Sequence, residues 1–130
     1  MQYIRYILIF FIILTPGFLH AENRVSVLCY HAFLDNNNPY CFSINDLRDH
    51  LNRLKSEGVT FVSFDDVVNN RVRGTKNVLV TVDDGNRTMY RAWKEVFRPM
   101  GIRPVIGIYP AIISRQEYAM TWEQLKEISR

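Results

Sequence analysis

The apolar run Val78–Val82 ends abruptly in two adjacent carboxylates, Asp83 and Asp84, followed by Gly85. Val, Leu and Thr favour a β-strand, and a short apolar run of this kind is typical of a buried strand. Ionised carboxylates at the end of a buried strand cost free energy unless they bind or hydrogen-bond to something. Gly85 allows the backbone to turn sharply at that point. This segment is therefore the first candidate for a functional site.

Strand-like and helix-like patterns alternate along the rest of the chain. The predicted strands are Val25–Tyr30, Val59–Phe64, Val78–Val82 and Pro104–Tyr109. The predicted helices start near Ser43, Asp66, Thr88 and Trp122. This alternation favours parallel strands joined by helices in an α/β sheet or barrel, and four such units would be an incomplete barrel.

Start signals and apolar spacing support the helix predictions. For the first helix, Ser43 is a capping residue, Leu47, Leu51 and Leu54 share one apolar face, and Gly58 follows as a stop. The third helix is expected to be capped by Thr88 and ended by Gly101. Its core-facing residues are predicted to be Ala92, Trp93, Val96, Phe97 and Met100.

The N-terminus has the layout of a secretory signal peptide. Arg5 precedes the apolar run Tyr6–Leu14, Pro16-Gly17 interrupts it, and Leu19-His20-Ala21 offers a cleavage site. We therefore expect residues 1–21 to be the signal and 22–130 to be the exported part. An uncleaved membrane anchor is the alternative, but the apolar run is shorter than the roughly 20 residues that span a bilayer.

Charge and chain length narrow the remaining possibilities. Lys and Arg number 16 against 13 Asp and Glu, and the two signs are scattered rather than clustered. No nucleic-acid partner is indicated by this pattern. The last predicted helix runs to Arg130 without a stop signal, so we expect the sequence to be the N-terminal part of a domain.

Two cysteines, Cys29 and Cys41, admit two interpretations. A disulfide between them would be possible in an exported protein. Alternatively, Cys29 is a small buried hydrophobic residue of the first strand and Cys41 an unrelated loop thiol. The second interpretation is favoured because Cys29 lies inside an apolar run. Their spacing matches no known metal-binding motif.

The chemistry of Asp83 and Asp84 follows from their position. In parallel α/β folds the reacting groups collect at the C-terminal ends of the strands. One carboxylate could bind a divalent cation while the other takes a proton from a water molecule. The alternative is that both cap the following helix. The other acidic pair, Asp65-Asp66, is expected to be only a helix start after Ser63.

The segment Thr81–Gly85 resembles the Thr-Phe-Asp-Asp-Gly motif of the polysaccharide deacetylases, the carbohydrate esterases with a NodB-homology domain. Tyr30–Phe33 at the end of the first strand and Pro104-Val105 after the motif are also similar to exported members that act on poly-N-acetylglucosamine. The resemblance covers nearly all of residues 22–130. Val82 and Asn86 depart from the family pattern at positions that supply no catalytic oxygen.

This resemblance implies an α/β fold, an incomplete (β/α) barrel of the polysaccharide deacetylase type. It implies that Asp83 is the general base and that Asp84 binds a catalytic divalent metal, usually zinc. The reaction would be hydrolysis of N-acetyl groups on an N-acetylglucosamine-type polysaccharide. The two histidine ligands of the family would follow residue 130, so the 130-residue chain alone is expected to lack appreciable activity and tight metal binding.

Three further expectations concern a substrate contact, an alternative function and a class of protein that the sequence disfavours. His31 lies at the C-terminal end of the first strand and is a candidate substrate contact. A catalytically inactive carbohydrate-binding protein of the same fold is the alternative function, with Tyr30, Tyr109 and Trp122 as candidate stacking residues. A phosphoacceptor receiver domain is disfavoured because no aspartate follows Asp84.

Overall fold

The computed structural model describes residues 23–36 and 38–130. The predicted signal peptide, residues 1–21, and its cleavage site lie outside these described residues. Within them, no helix combines the length and the apolar character that crossing a bilayer requires.

Four strands and four α-helices alternate along the part of the chain that the structure describes. The strands are β1 (Val25–Tyr30), β2 (Thr60–Val62), β3 (Asn77–Val82) and β4 (Val105–Ile106). The helices are α1 (Ile44–Ser56), α2 (Phe64–Val68), α3 (Thr88–Ala92) and α4 (Trp122–Ile128). A π-helical turn, Trp93–Phe97, continues α3 directly. The predicted α/β class is confirmed by this order.

All four strands belong to one parallel sheet with β3 at its centre. β1 pairs with β3 along its whole length, from Val25 opposite Asn77 to Tyr30 opposite Val82. On the other side of β3, β2 pairs with its first half and β4 with its end. The sheet of the described residues is not closed into a ring, so the incomplete barrel stays a prediction.

The hydrophobic core covers one face of this sheet. Tyr30 and Val82 are register partners on that face and are 3% and 0% exposed. Helix α1 contributes Leu47 and Leu51, both fully buried, and the π-helical turn contributes Phe97. On the opposite face of β1, Val27 and Cys29 are exposed to solvent. The first strand therefore has a packed face and an open face.

Two predicted helix starts are confirmed, and each is capped by the hydrogen bonds of the predicted side chain. Ser43 accepts a hydrogen bond from Asp46 N. On the predicted apolar face of α1, Leu47 and Leu51 are buried and Leu54 is half-buried. Before α4, Thr121 and Gln124 form a complete capping box in which each side chain accepts from the other's backbone amide. Satisfying the unpaired amide groups of the first helical turn in this way stabilises each helix start.

The second predicted strand is too long at its C-terminal end. It was expected to run to Phe64, but Ser63 and Asp66 form a capping box and Phe64 is the first residue of α2. The helix predicted over Asp66–Asn70 consequently begins two residues early. The acidic pair Asp65-Asp66 is a helix start, as expected. The predicted fourth strand, Pro104–Tyr109, is also longer than β4.

The third helix differs from its prediction at its start and in its middle. Thr88 does not cap it, because the acceptor for Thr88 N is the side chain of Asn86. After Ala92 the helix widens into the π-helical turn, in which Arg98 N donates to Trp93 O. Gly101 follows with positive φ, as expected of a residue that ends a helix.

Candidate functional site

Asp83 is held at the C-terminal end of the central strand by both neighbouring strands. Its backbone N donates to Tyr30 O at 2.9 Å, and Gly107 N donates to Val82 O at 2.8 Å. Its side chain is half-buried and lies on the same face of the sheet as Thr81. Asp83 is thereby placed where parallel α/β folds collect reacting groups.

The backbone reverses immediately after Asp83. Asp84 has φ 72° and Gly85 has φ 64°, so two consecutive residues adopt left-handed conformations. Aspartate tolerates this region better than most residues with a Cβ atom, and glycine adopts it freely. On a regular strand the two carboxylates would point to opposite faces. The reversal ends the strand and leaves Asp84 exposed to solvent.

Backbone contacts from residues 118–120 hold the reversed segment. Met120 N donates to Gly85 O at 2.9 Å, and Arg87 N donates to Tyr118 O at 2.8 Å. Gly85 is also packed closely, since a Cβ atom there would lie 3.2 Å from an Ile113 side-chain atom. The loop that carries the carboxylates is therefore fixed by the segment before α4.

Thr88 joins this loop to the segment after β1. Its hydroxyl accepts a hydrogen bond from Phe33 N at 3.0 Å and donates one to Asn86 Oδ1 at 2.8 Å. Phe33 is buried and follows His31 by two residues. The Thr88 hydroxyl therefore adds a side-chain link between the segment after His31 and the loop after Asp83.

Cys29, His31 and Asp83 converge on the open face of β1. One potential metal-ligand atom from each lies within 4.8 Å of the other two. The Cys29 thiol donates to Asp83 Oδ2 across 3.4 Å. Residues two apart on a strand share a face, and Cys29 is the register partner of Thr81, two residues before Asp83. Strand register therefore explains why these three side chains meet.

The interpretation of Cys29 as a buried hydrophobic residue is wrong. Its side chain is exposed, because it lies on the open face of β1, whereas its neighbour Tyr30 points into the core. Cys41 is partly buried, and both cysteines are free thiols. Sequence reasoning also missed the grouping of Cys29 with Asp83. The available signal was the spacing of Cys29 and His31, which places both on one strand face.

The structure brings two of the three predicted site residues together. His31 lies beside Asp83, as expected from their common position at strand ends. Asp84 makes no hydrogen bond or ion pair with any described residue. Neither carboxylate caps α3, whose first amide groups find their acceptor in Asn86 instead. The helix-cap interpretation of the acidic pair is therefore wrong.

The structure also shows the surroundings of His50 and of the three aromatic residues expected to stack on sugar rings. His50 has a packing role, because it stacks on Phe42 and shares a 2.9 Å hydrogen bond with Tyr30 Oη. Burial raises the pKa of the Tyr30 phenol well above its ordinary value, so this hydroxyl stays protonated. Tyr30 is a core residue and cannot stack on a sugar. Tyr109 and Trp122 are exposed.

Comparison with solved structures identifies the fold. IcaB from Ammonifex degensii matches 83% of this chain and 49% of its own, with 30% sequence identity and a TM-score of 0.72. A de-N-acetylase from Aggregatibacter actinomycetemcomitans matches 82% of this chain and 51% of its own, with 24% identity and a TM-score of 0.72. A polysaccharide deacetylase from Bacillus cereus matches 82% of this chain and 36% of its own, with 22% identity and a TM-score of 0.65.

The fold of the described residues is that of the polysaccharide deacetylases, and the resemblance predicted from the motif around Asp83 is confirmed. The chain spans about half the length of the first two structures that it matches. Neither protein-family models nor curated proteins gave a match to the sequence.

Proposed function

We propose that residues 22–130 are the N-terminal part of an exported, metal-dependent polysaccharide deacetylase. Its substrate would be an N-acetylglucosamine-type polymer, and its reaction the hydrolysis of N-acetyl groups. The observation that carries this proposal is the position of Asp83 and Asp84 at the end of the central strand, in a fold shared with IcaB at 30% identity. Export is proposed from the pattern of residues 1–21.

In this proposal Asp83 is the general base. Its half-buried carboxylate lies beside the open face of β1, where a water molecule and a substrate can approach. Asp83 would take a proton from the attacking water and deliver it to the amine nitrogen as the C–N bond breaks. The products are acetate and a free amine. Backbone hydrogen bonds from both neighbouring strands support this role, because they fix the base before substrate arrives.

Asp84 would bind the divalent cation, zinc in this proposal. Its exposed carboxylate is an oxygen donor with no other partner among the described residues, which fits a metal-binding role. The bound cation would polarise the acetamide carbonyl and lower the pKa of bound water. Catalytic zinc sites use three protein ligands, so we expect residues 1–130 alone to lack appreciable activity.

His31 would contact the substrate. It is half-buried at the rim beside Asp83, and the ring of Tyr40 lies against it with centroids 6.1 Å apart. Tyr40 is 71% exposed, so its ring can offer an apolar surface next to the imidazole. An imidazole hydrogen bond combined with an aromatic face is a common means of holding a sugar ring.

The test begins with sequencing the coding frame past codon 130 and producing the complete polypeptide. Acetate release from N-acetylglucosamine oligomers is then measured for the wild type, Asp83→Asn and Asp84→Asn. We expect each substitution to lower the rate at least about 100-fold. Asp65→Asn is the matched control, because it alters the exposed acidic pair in α2.

Two outcomes would contradict the proposal. One is acetate release that Asp83→Asn leaves unchanged while Asp65→Asn behaves like the wild type. The other is a stop codon directly after Arg130 in a protein that releases no acetate with zinc present.

A further inference from the structure

We infer that Cys29, His31 and Asp83 form a binding site for a thiophilic divalent cation such as Zn²⁺, separate from the cation assigned to Asp84. The three residues supply one sulfur, one nitrogen and one oxygen donor, with the ligand atoms within 4.8 Å of one another. Sulfur, imidazole nitrogen and carboxylate oxygen are the three donor types that bind zinc in proteins.

The distances are compatible with one ion shared by all three side chains. Zinc binds sulfur at about 2.3 Å and carboxylate oxygen at about 2.0 Å, so a tetrahedral angle places those two ligand atoms about 3.5 Å apart. The Cys29 Sγ to Asp83 Oδ2 distance is 3.4 Å. Side-chain torsion of His31 can bring its ring nitrogen from within 4.8 Å to the same separation.

The surroundings leave room for an ion and for a fourth ligand. Cys29 is exposed, and the neighbouring Val27 on the same face of β1 is 63% exposed. A cation can therefore enter from solvent and keep a water molecule as its fourth ligand. Cys29 would release its thiol proton to solvent on binding, so affinity should rise with pH. The thiolate selects Zn²⁺ or Co²⁺ over Mg²⁺.

Occupation of this site would remove Asp83 from its role as base. The carboxylate oxygen that binds the ion can no longer accept a proton from water. Excess zinc should therefore inhibit deacetylation, and Cys29→Ser should relieve the inhibition. This consequence depends on the proposed function, whereas cation binding itself does not.

The test titrates Co²⁺ into the purified 130-residue chain with a phosphine reductant, because thiol reductants bind the metal themselves. The expectation that this chain lacks tight metal binding considered Asp84 alone. With Cys29, His31 and Asp83 as ligands we instead expect one equivalent to bind and to give the near-ultraviolet charge-transfer absorption of a cobalt thiolate. The absorption should disappear in Cys29→Ser and persist in Cys41→Ser, the matched control thiol. His31→Gln should weaken binding at least about tenfold, and Mg²⁺ should not compete.

Absence of a thiolate absorption in the wild-type chain, or its loss in Cys41→Ser but not in Cys29→Ser, would overturn the inference. Circular dichroism establishes that each variant is folded. A second measurement needs no variant: Zn²⁺ should slow alkylation of Cys29 but not of Cys41, as quantified by mass spectrometry. Equal rates with and without Zn²⁺ would also overturn it. A complete polypeptide that binds the cation, yet releases no acetate even as the Cys29→Ser variant that lacks this inhibitory site, would contradict only the proposed deacetylase function.

Discussion

Gly107 and Asp83 lie so close together that a Cβ atom on Gly107 would be 3.1 Å from Asp83 Oδ1 and 3.6 Å from its Cα atom. The first of these distances is shorter than an ordinary van der Waals contact, so a Cβ atom at position 107 requires the carboxylate to shift by a few tenths of an ångström. Gly107 leaves the space in which that oxygen lies. The residue that follows β4 therefore limits where the proposed base can point.

Gly107→Ala should lower acetate release by the complete polypeptide roughly tenfold, because displacement of a catalytic group by part of an ångström costs rate steeply. The melting temperature should change little, since the added methyl meets a half-buried carboxylate rather than the core. Steady-state kinetics and thermal unfolding measure the two effects. Unchanged kinetics in a folded Gly107→Ala protein would show that Asp83 tolerates the displacement.

Thr88→Val should destabilise the fold by about 1–3 kcal/mol, because it removes two hydrogen bonds and leaves the buried Phe33 amide without its acceptor. Valine keeps the shape of the side chain, so the effect isolates the hydroxyl. Thr88→Ser is the control and should retain most of the stability. Urea unfolding gives the free energy of unfolding of each variant, and equal values for valine and serine would contradict the assigned role.

Two substitutions of Asp84 should distinguish its effect on backbone strain from its proposed role in metal binding. At φ 72° a β-branched residue is strained, so Asp84→Val should lower stability by about 1–2 kcal/mol. Asp84→Asn should leave stability nearly unchanged, because asparagine adopts the left-handed region readily. Both should abolish activity in the complete polypeptide. Thermal unfolding of the two variants tests the difference, and identical melting temperatures would show that the reversal imposes no strain.

The Ser63–Asp66 capping box should make part of the stability depend on acidic pH. The Ser63 hydroxyl and backbone amide, and then Arg71, lower the pKa of Asp66 from 3.8 to about 2. Because the folded-state pKa is the lower one, this contribution is fully present above about 3.8 and is lost as the pH falls through about 2.

Ser63→Ala should raise the pKa of Asp66 toward its ordinary value and reduce the stability contributed in this window. NMR titration of the Asp66 carboxyl in both proteins measures the change. Ser56→Ala serves as a control, because Ser56 lies at the exposed end of α1 and does not contact Asp66. A pKa that is the same in Ser63→Ala and in the unchanged protein would disprove the assigned cause.

The sequence predicts helix starts and buried helix faces correctly where the signal lies within a few neighbouring residues. The apolar spacing of Leu47 and Leu51 and the capping signals of Ser43 and Thr121 depend on neighbours within a few positions, and these predictions are confirmed. Phe64 was misassigned because an aromatic residue extends an apolar strand pattern, whereas the capping box one residue earlier determines the structure. The π-helical turn after Ala92 has no comparable local signal.

The candidate site depended on information that local patterns do not contain. The motif around Asp83 is recognisable in the sequence because the carboxylates and the end of the apolar strand lie in one short segment. Cys29 was misjudged because the same strand has a packed face and an open face, and only the pairing of β1 with β3 shows which side chain lies on which. Helices α1 and α2 and strand β2 lie between Cys29 and Asp83 in the sequence, so the spacing of Cys29 and His31 indicates their shared face but not their contact with Asp83.

The central position of β3 also affects the order in which the fold can form. β1 and β2 are synthesised first, yet each pairs with β3, and neither pairs with the other. The sheet therefore cannot begin to assemble until the chain has been translated through Val82, and closing such long-range parallel contacts is intrinsically slow. Every strand pairing of this sheet therefore depends on the synthesis of β3.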